Sequence, residues 1–315
     1  MRTNTTAISR WLILSIFILS LSGVARAQAT PPGFNPGGPM QPAPGPQAAV
    51  LKTAVDHPGL SALAWQLACP NAFFPQLTST DMIDLAHEWD LHHFEFSPGQ
   101  VVSPAFPDQK IGPDMSAAAF DALTAKLKAV KMDIVSYGVV PLSGKPLEDG
   151  KVFAFAAKLK VKNLVVDAPE DSLEALDKLA AQYKVNVAIV NQAKPGHFWN
   201  ADTLNVALAS RSKLIGVCPD LANYKVSGEV PLDSVTTLAA HVLEYHLTDV
   251  DDTGKPVPFG AGTVDGPAVL KFAKGKAFKG IFAVEYLGAT GPAAYNDFIT
   301  SVNNFSAQVT KLHTN

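Results

Sequence analysis

Eight short apolar runs, each followed by a helix-like stretch, repeat between residues 62 and 286. The runs cover 62–68, 91–96, 133–139, 162–168, 185–192, 213–220, 242–249 and 280–286. The stretches between them carry helix signals. "TSTDMIDLAHEWD" opens on capping residues, and "SAAAFDALTAKLKAVKM" sets Phe120, Leu123 and Leu127 at helical spacing. "PEDSLEALDKLAAQY" places Pro169 and acids in a first turn. Eight strand–helix units in roughly 260 residues predict a closed parallel (β/α)8 TIM barrel over 53–315. A doubly wound open sheet would be expected to carry a glycine-rich phosphate turn after its first strand. "ACPNAFF" has none.

The chain before residue 53 belongs to a different regime. Arg2 and Arg10 precede "WLILSIFILSLSG", and "ARA" at 25–27 has the small-x-small form of a signal-peptidase site. An apolar run of about 12 residues is short for a membrane span and suits a secretion signal. Residues 1–27 are therefore expected to be a signal peptide, with no stable membrane anchor and a periplasmic or secreted mature protein. Residues 28–52 include "PPGFNPGGPMQPAPGPQ" and read as a Pro/Gly-rich tether, too poor in apolar surface to order itself. Loss of Arg2, Arg10 and Arg26 leaves 22 of the 25 basic side chains against 28 acids, a net charge of −6. An acidic chain without basic clusters is a poor nucleic-acid binder, because neutralising phosphates needs Lys and Arg on one face. A small-molecule ligand fits better, and nothing in the sequence sets an oligomeric state.

Barrel active sites form at the C-terminal ends of the strands, and strand side chains alternate between the interior and the helix layer. With Leu243, Tyr245 and Leu247 assigned to the helix layer, Glu244 and His246 point inward. The same alternation sends Gly216, Cys218 and Asp220 inward on the sixth strand, and Ile281, Ala283 and Glu285 on the eighth. Asp220, His246 and Glu285 are thus expected to converge as ligands for a divalent metal (Mn²⁺, Mg²⁺ or Zn²⁺). Cys69 and Cys218 fall on strands nearly across the barrel and are expected to be free thiols.

With these strand ends in view, the domain resembles the xylose isomerase-like TIM barrels, the sugar phosphate isomerase/epimerase family. The likeness spans about 60–310 and is carried by "IGVCPDLAN", "YHLTDVDDTG", "PFGAGTVD" and "GIFAVEY", in that order. It implies a metal held by carboxylates of strands 5, 6 and 8 and a histidine of strand 7. Asp220, His246 and Glu285 match, with Glu285 as catalytic base. Val190 stands where the strand 5 glutamate would be, with Asn191 and Gln192 after it. Asn223, Thr248 and Ala261 also replace a histidine, a lysine and a glutamate of the family pattern. Gln192 or water would complete the coordination.

The resemblance implies a sugar isomerase or epimerase that abstracts a proton next to a carbonyl. The missing carboxylate keeps two alternatives open: a keto-glycoside lyase using a single base, and a carbohydrate-binding barrel without turnover. Expected substrate contacts are Glu95, inward on strand 2 and otherwise a structural carboxylate, and Asn191 and Gln192, whose amides suit hydroxyl groups. His197 and Trp199, in the loop after strand 5, are expected either to stack on a sugar or to cover the barrel. Asp251 and Asp252 read as a solvated loop, whereas Asp249 could orient His246 or Lys225. A phosphodiesterase barrel would need more histidines and acids at its strand ends.

Overall fold

The computed structural model describes residues 52–286, 288 and 291–314. The expected signal peptide and nearly all of the tether lie outside the described residues. Eight parallel strands form the barrel: β1 Gln66–Pro70, β2 His93–Phe96, β3 Asp133–Pro141, β4 Asn163–Asp167, β5 Asn186–Val190, β6 Ile215–Cys218, β7 Glu244–Leu247 and β8 Ile281–Val284. They pair in the order β6-β5-β4-β3-β2-β1-β8-β7. The seam between β6 and β7 is closed by Val217 N donating to His241 O at 2.9 Å, Leu243 N to Val217 O at 2.9 Å and His246 N to Pro219 O at 3.1 Å. Gly216 makes this approach possible, since a Cβ there would collide with the His241 carbonyl and the Leu243 side chain. The seam also sets Asp220 opposite His246.

The expected first strand begins too early. Asp56 accepts from Gly59 N and Pro58 sits in the first turn, so His57–Leu63 is helical. Ala64, left-handed at φ 55°, ends that helix, and the strand starts at Gln66. An antiparallel hairpin of Val101–Ser103 and Phe106–Lys110 follows β2, an element the strand–helix pattern does not announce.

The main core lies between barrel and helices. Tyr245 stacks on Phe282 at 5.0 Å, and Trp65 packs against Phe282 at 4.6 Å. The C-terminal helix, Pro292–Thr314, buries Phe298, Val302, Phe305 and Val309 at helical spacing against them. Each such side chain contributes about 1.5–3 kcal/mol of burial free energy. Inside the barrel the residues are smaller. Ala68, Val135, Ile281 and Ala283 form one apolar cluster, and Val165, Ala188, Val190 and Cys218 another. Both cysteines are free and buried.

Candidate active site at the barrel mouth

Strand alternation brings Glu95 of β2, His246 of β7 and Glu285, just beyond β8, to one point. His246 Nδ1 lies 3.3 Å from Glu285 Oε1, and Nε2 lies 3.5 Å from Glu95 Oε1. One ligand atom from each residue falls within 4.8 Å of the others. Glu95 and His246 are each 1% exposed, and Glu285 reaches solvent at 8%. Glu285 also lines a cavity of about 150 Å³ with Asp220, Asn223, Thr248 and Tyr286. The cluster therefore has a closed floor and one open side.

The floor is polar. Ser136 Oγ lies 2.6 Å from Glu95 Oε2 and 2.8 Å from Glu244 Oε1, while Asn163 Nδ2 donates to Glu244 Oε2 at 3.0 Å. Asn186 Nδ2 extends the chain by donating to Asn163 Oδ1 at 3.1 Å. A serine hydroxyl has one proton and cannot donate to two carboxylates at once, so one carboxyl brings a proton of its own. Burial and the neighbouring Glu95 hold Glu244 well above the usual carboxylate range, which assigns that proton to Glu244. Burial would raise Glu95 too, but His246 and the Ser136 hydroxyl outweigh it and hold Glu95 low. Burial opposes the His246 imidazolium. The carboxylates Glu285 and Glu95 on either side of the ring outweigh that, so His246 is held well above its usual range. The Cys218 thiol itself is pushed up by burial and stays neutral.

A group whose folded-state pKa is raised keeps its proton while the unfolded chain releases one. The wild type thus loses stability as pH climbs from the unfolded glutamate value, about 4.3, toward the raised folded value. Glu244→Gln keeps a donor for Ser136 and removes this titration. In metal-free protein, its stability relative to wild type is expected to rise as pH climbs above the unfolded glutamate value of about 4.3. Denaturant midpoints across that range check this, and a constant difference would reject a protonated Glu244.

Asp220 is set apart from the three-residue cluster. It caps the short helix Leu221–Val226, its Oδ1 accepting from Asn223 N at 2.8 Å and Thr248 Oγ1 at 2.7 Å. Thr248, at the family's lysine position, also accepts from Ala222 N at 2.8 Å and so clamps the strand 6 end. Of the expected ligands, His246 and Glu285 fall in one cluster with Glu95, and Asp220 lies beside it in the cavity. Val190, at the strand 5 position, is 3% exposed and packs on Val165 and Cys218.

The expected hydroxyl-binding role of Asn191 does not match its contacts. Its Oδ1 accepts from Asp220 N at 2.7 Å and its Nδ2 donates to Asp220 O at 3.1 Å, which ties β5 to β6. Gln192 is half-buried at the same strand end, outside the carboxylate cluster. His197 pairs with Asp167 at 2.8 Å, and Lys194 Nζ lies 4.4 Å from the Trp199 ring centre. One face of that indole is thus already covered. Asp249, expected to orient His246 or Lys225, pairs with neither: it is 2% exposed and accepts four backbone N–H groups. Ser136 and Asn163 were not among the expected site residues. Polar residues on the same inward alternation as Glu95 are the signal that finds them.

No protein-family model matches the chain, and neither does any curated protein. Among solved structures, an uncharacterised protein from Parabacteroides distasonis is 25% identical with a TM-score of 0.63, covering 79% of this chain and 99% of that one. A xylose isomerase-like TIM barrel protein from Mycobacterium smegmatis, solved with magnesium, is 13% identical (TM-score 0.59; 78% and 98% covered). The 3-keto-D-glucoside 4-epimerase of E. coli is 15% identical (TM-score 0.58; 76% and 98% covered). The fold is that of the xylose isomerase-like barrels.

Proposed function

We propose that this xylose isomerase-like barrel abstracts a proton next to the carbonyl of a sugar or keto-sugar, with Glu285 as base and a divalent metal held at Glu95, His246 and Glu285. The observation that carries the proposal is the convergence of those three side chains beside the mouth cavity. The donor set fits a divalent ion. Two carboxylates balance its charge, and His246 Nε2 is buried without a hydrogen-bond partner among the described residues. When bound, the ion polarises the sugar carbonyl and its neighbouring hydroxyl and acidifies the C–H between them.

The remaining steps belong to the chain. Burial raises Glu285, making it a stronger base than an exposed carboxylate, and it is the cluster member that faces the cavity. His246, 3.3 Å away, orients the carboxylate. Asp220 lines the same cavity and is available to a sugar hydroxyl. Ser136 holds Glu95 from below and is itself bonded to Glu244, which Asn163 holds in turn. With Val190 apolar, only one face of the substrate has a base. Such a site suits one-sided isomerisation or β-elimination from a keto-glycoside better than two-base epimerisation. With the leader read from residues 1–27, this chemistry belongs to the periplasm or outside the cell.

The test is solvent-deuterium incorporation into a panel of sugars and 3-keto-glycosides, with thermal shifts in Mn²⁺, Mg²⁺ and Zn²⁺. Exchange into a keto-sugar with a metal-dependent rise in Tm is expected. The buried Val190 favours one second reading, a barrel that binds carbohydrate without turnover. Saturable sugar binding with no exchange would establish that reading and end the enzymatic one.

A further inference from the structure

A second cluster of metal-ligating side chains lies at the opposite end of the barrel. His57 opens the first helix, Asp90 sits in the turn after the helix Ser79–Glu88, and His92 immediately precedes β2. All three are at the N-terminal face, remote from the strand ends that carry Glu285. His57 Nε2 is 2.9 Å from Asp90 Oδ2, and His92 Nε2 is 3.4 Å from Asp90 Oδ1. The two imidazole centres are 4.7 Å apart. One ligand atom from each of the three residues lies within 4.8 Å of the others.

An ion-pair role explains this arrangement poorly. Asp90 is 65% exposed, and pairs so open to water add little stability. Asp90 also adopts a left-handed backbone, φ 57°, a conformation in which aspartate is one of the enriched residues. That conformation sets its carboxylate between two imidazoles. Behind the histidines is a cavity of about 250 Å³, lined by Leu60, Trp65, Leu67 and His93 as well as His57 and His92. His93 Nδ1 is buried there with no hydrogen-bond partner among the described residues.

We propose that His57, Asp90 and His92 form a second, transition-metal site, with Zn²⁺ the class of ion they take. Two imidazole nitrogens and one carboxylate oxygen select Zn²⁺ over Mg²⁺ or Ca²⁺, which prefer oxygen donors throughout. Neighbouring ligand atoms of a tetrahedral zinc with bonds of about 2.0–2.1 Å are about 3.3 Å apart. His57 Nε2 lies 2.9 Å from Asp90 Oδ2 and His92 Nε2 3.4 Å from Asp90 Oδ1, and one ligand atom of each residue is within 4.8 Å of the others, so side-chain rotation suffices to close the three on one ion. The fourth position faces solvent and the cavity, for water or a small ligand. Its three ligands come from the first helix and the approach to β2, so the ion fastens those segments together and stabilises the fold. This site does not depend on the reaction proposed for the barrel mouth.

The experiment is calorimetric Zn²⁺ titration of the full, chelator-stripped chain, with His92→Ala, His57→Gln and Glu285→Gln alongside and near-UV circular dichroism to confirm folding. His92→Ala and His57→Gln should each lose one equivalent of Zn²⁺ and the rise in Tm that goes with it, while Glu285→Gln, which alters only the mouth, keeps that equivalent. The loss is one equivalent whether or not the mouth also takes Zn²⁺, so failure at one site is distinguishable from failure at the other. Co²⁺ should give a visible absorption in the wild type that His92→Ala abolishes. Zn²⁺ stoichiometry unchanged in both histidine variants, or no Zn²⁺ bound by the wild type, would overturn the proposal.

Discussion

Glu285→Gln is expected to cut solvent-deuterium incorporation on the order of 10³-fold while the barrel stays folded. Removing a positioned general base removes a factor of about 10²–10⁴. The glutamine is isosteric and its amide can still meet His246, 3.3 Å from Glu285 in the wild type, so packing changes little. Two further variants separate the expected ligand set from the one the geometry brings together. Asp220 has its Oδ1 occupied by Asn223 N and Thr248 Oγ1 and is not one of the three clustered residues. Asp220→Asn should therefore weaken substrate binding more than metal binding. Glu95→Gln, which replaces one of two carboxylates flanking His246, should abolish most of the thermal shift produced by Mn²⁺ or Mg²⁺. The reverse order, with Asp220→Asn losing metal and Glu95→Gln keeping it, would restore the strand 6 aspartate as ligand. Full exchange activity in Glu285→Gln would remove Glu285 as the base.

The barrel was legible because its strands are bounded by strong punctuation, and inward alternation correctly placed Glu244, His246 and Glu285 inside. Register across the barrel was not legible. Glu95 meets His246 because β2 and β7 are separated only by β1 and β8, and pairing order does not reveal how deep each inward side chain sits. The family pattern pointed instead to Asp220, which matches by sequence but is drawn into a helix cap by Asn223 and Thr248. Asn191 likewise fits the pattern, yet its amide is taken up by the neighbouring backbone. The first helix was hidden because "ALAWQLA" is apolar but for Gln66, and Asp56 and Pro58 mark where helix precedes strand.

Asp249, which the sequence sets apart from its loop neighbours as a group to orient His246 or Lys225, anchors backbone instead, and its substitution is expected to be among the costliest in the protein. Its Oδ2 accepts from Gly260 N and Gly262 N, both at 3.0 Å, and its Oδ1 from Val264 N at 3.0 Å and Val250 N at 2.8 Å. Gly262 has no side chain for a reason: a Cβ there would collide with the Asp249 carboxylate. The loop 258–264 thus wraps around one buried charge. Hydrogen bonds to a charged acceptor contribute roughly 1.5–3 kcal/mol each, and a buried N–H left unpaired costs about 1–3 kcal/mol. The loop can turn some of those groups to water, so Asp249→Ala should destabilise by about 3 kcal/mol or more rather than by the full sum. Asp249→Asn should lie between, since its amide oxygen keeps part of the set while its NH₂ opposes the rest. Asp251, which accepts from Thr253 and Lys255 in the exposed turn nearby, is the control, and Asp251→Ala should leave the denaturation midpoint near the wild type's. Urea unfolding of the three variants gives the order. Because Val250 and Thr248 line the mouth cavity with Glu285, loosening this anchor should also raise KM more than it lowers kcat. An Asp249→Ala protein as stable as Asp251→Ala would mean that the loop holds its shape without the carboxylate.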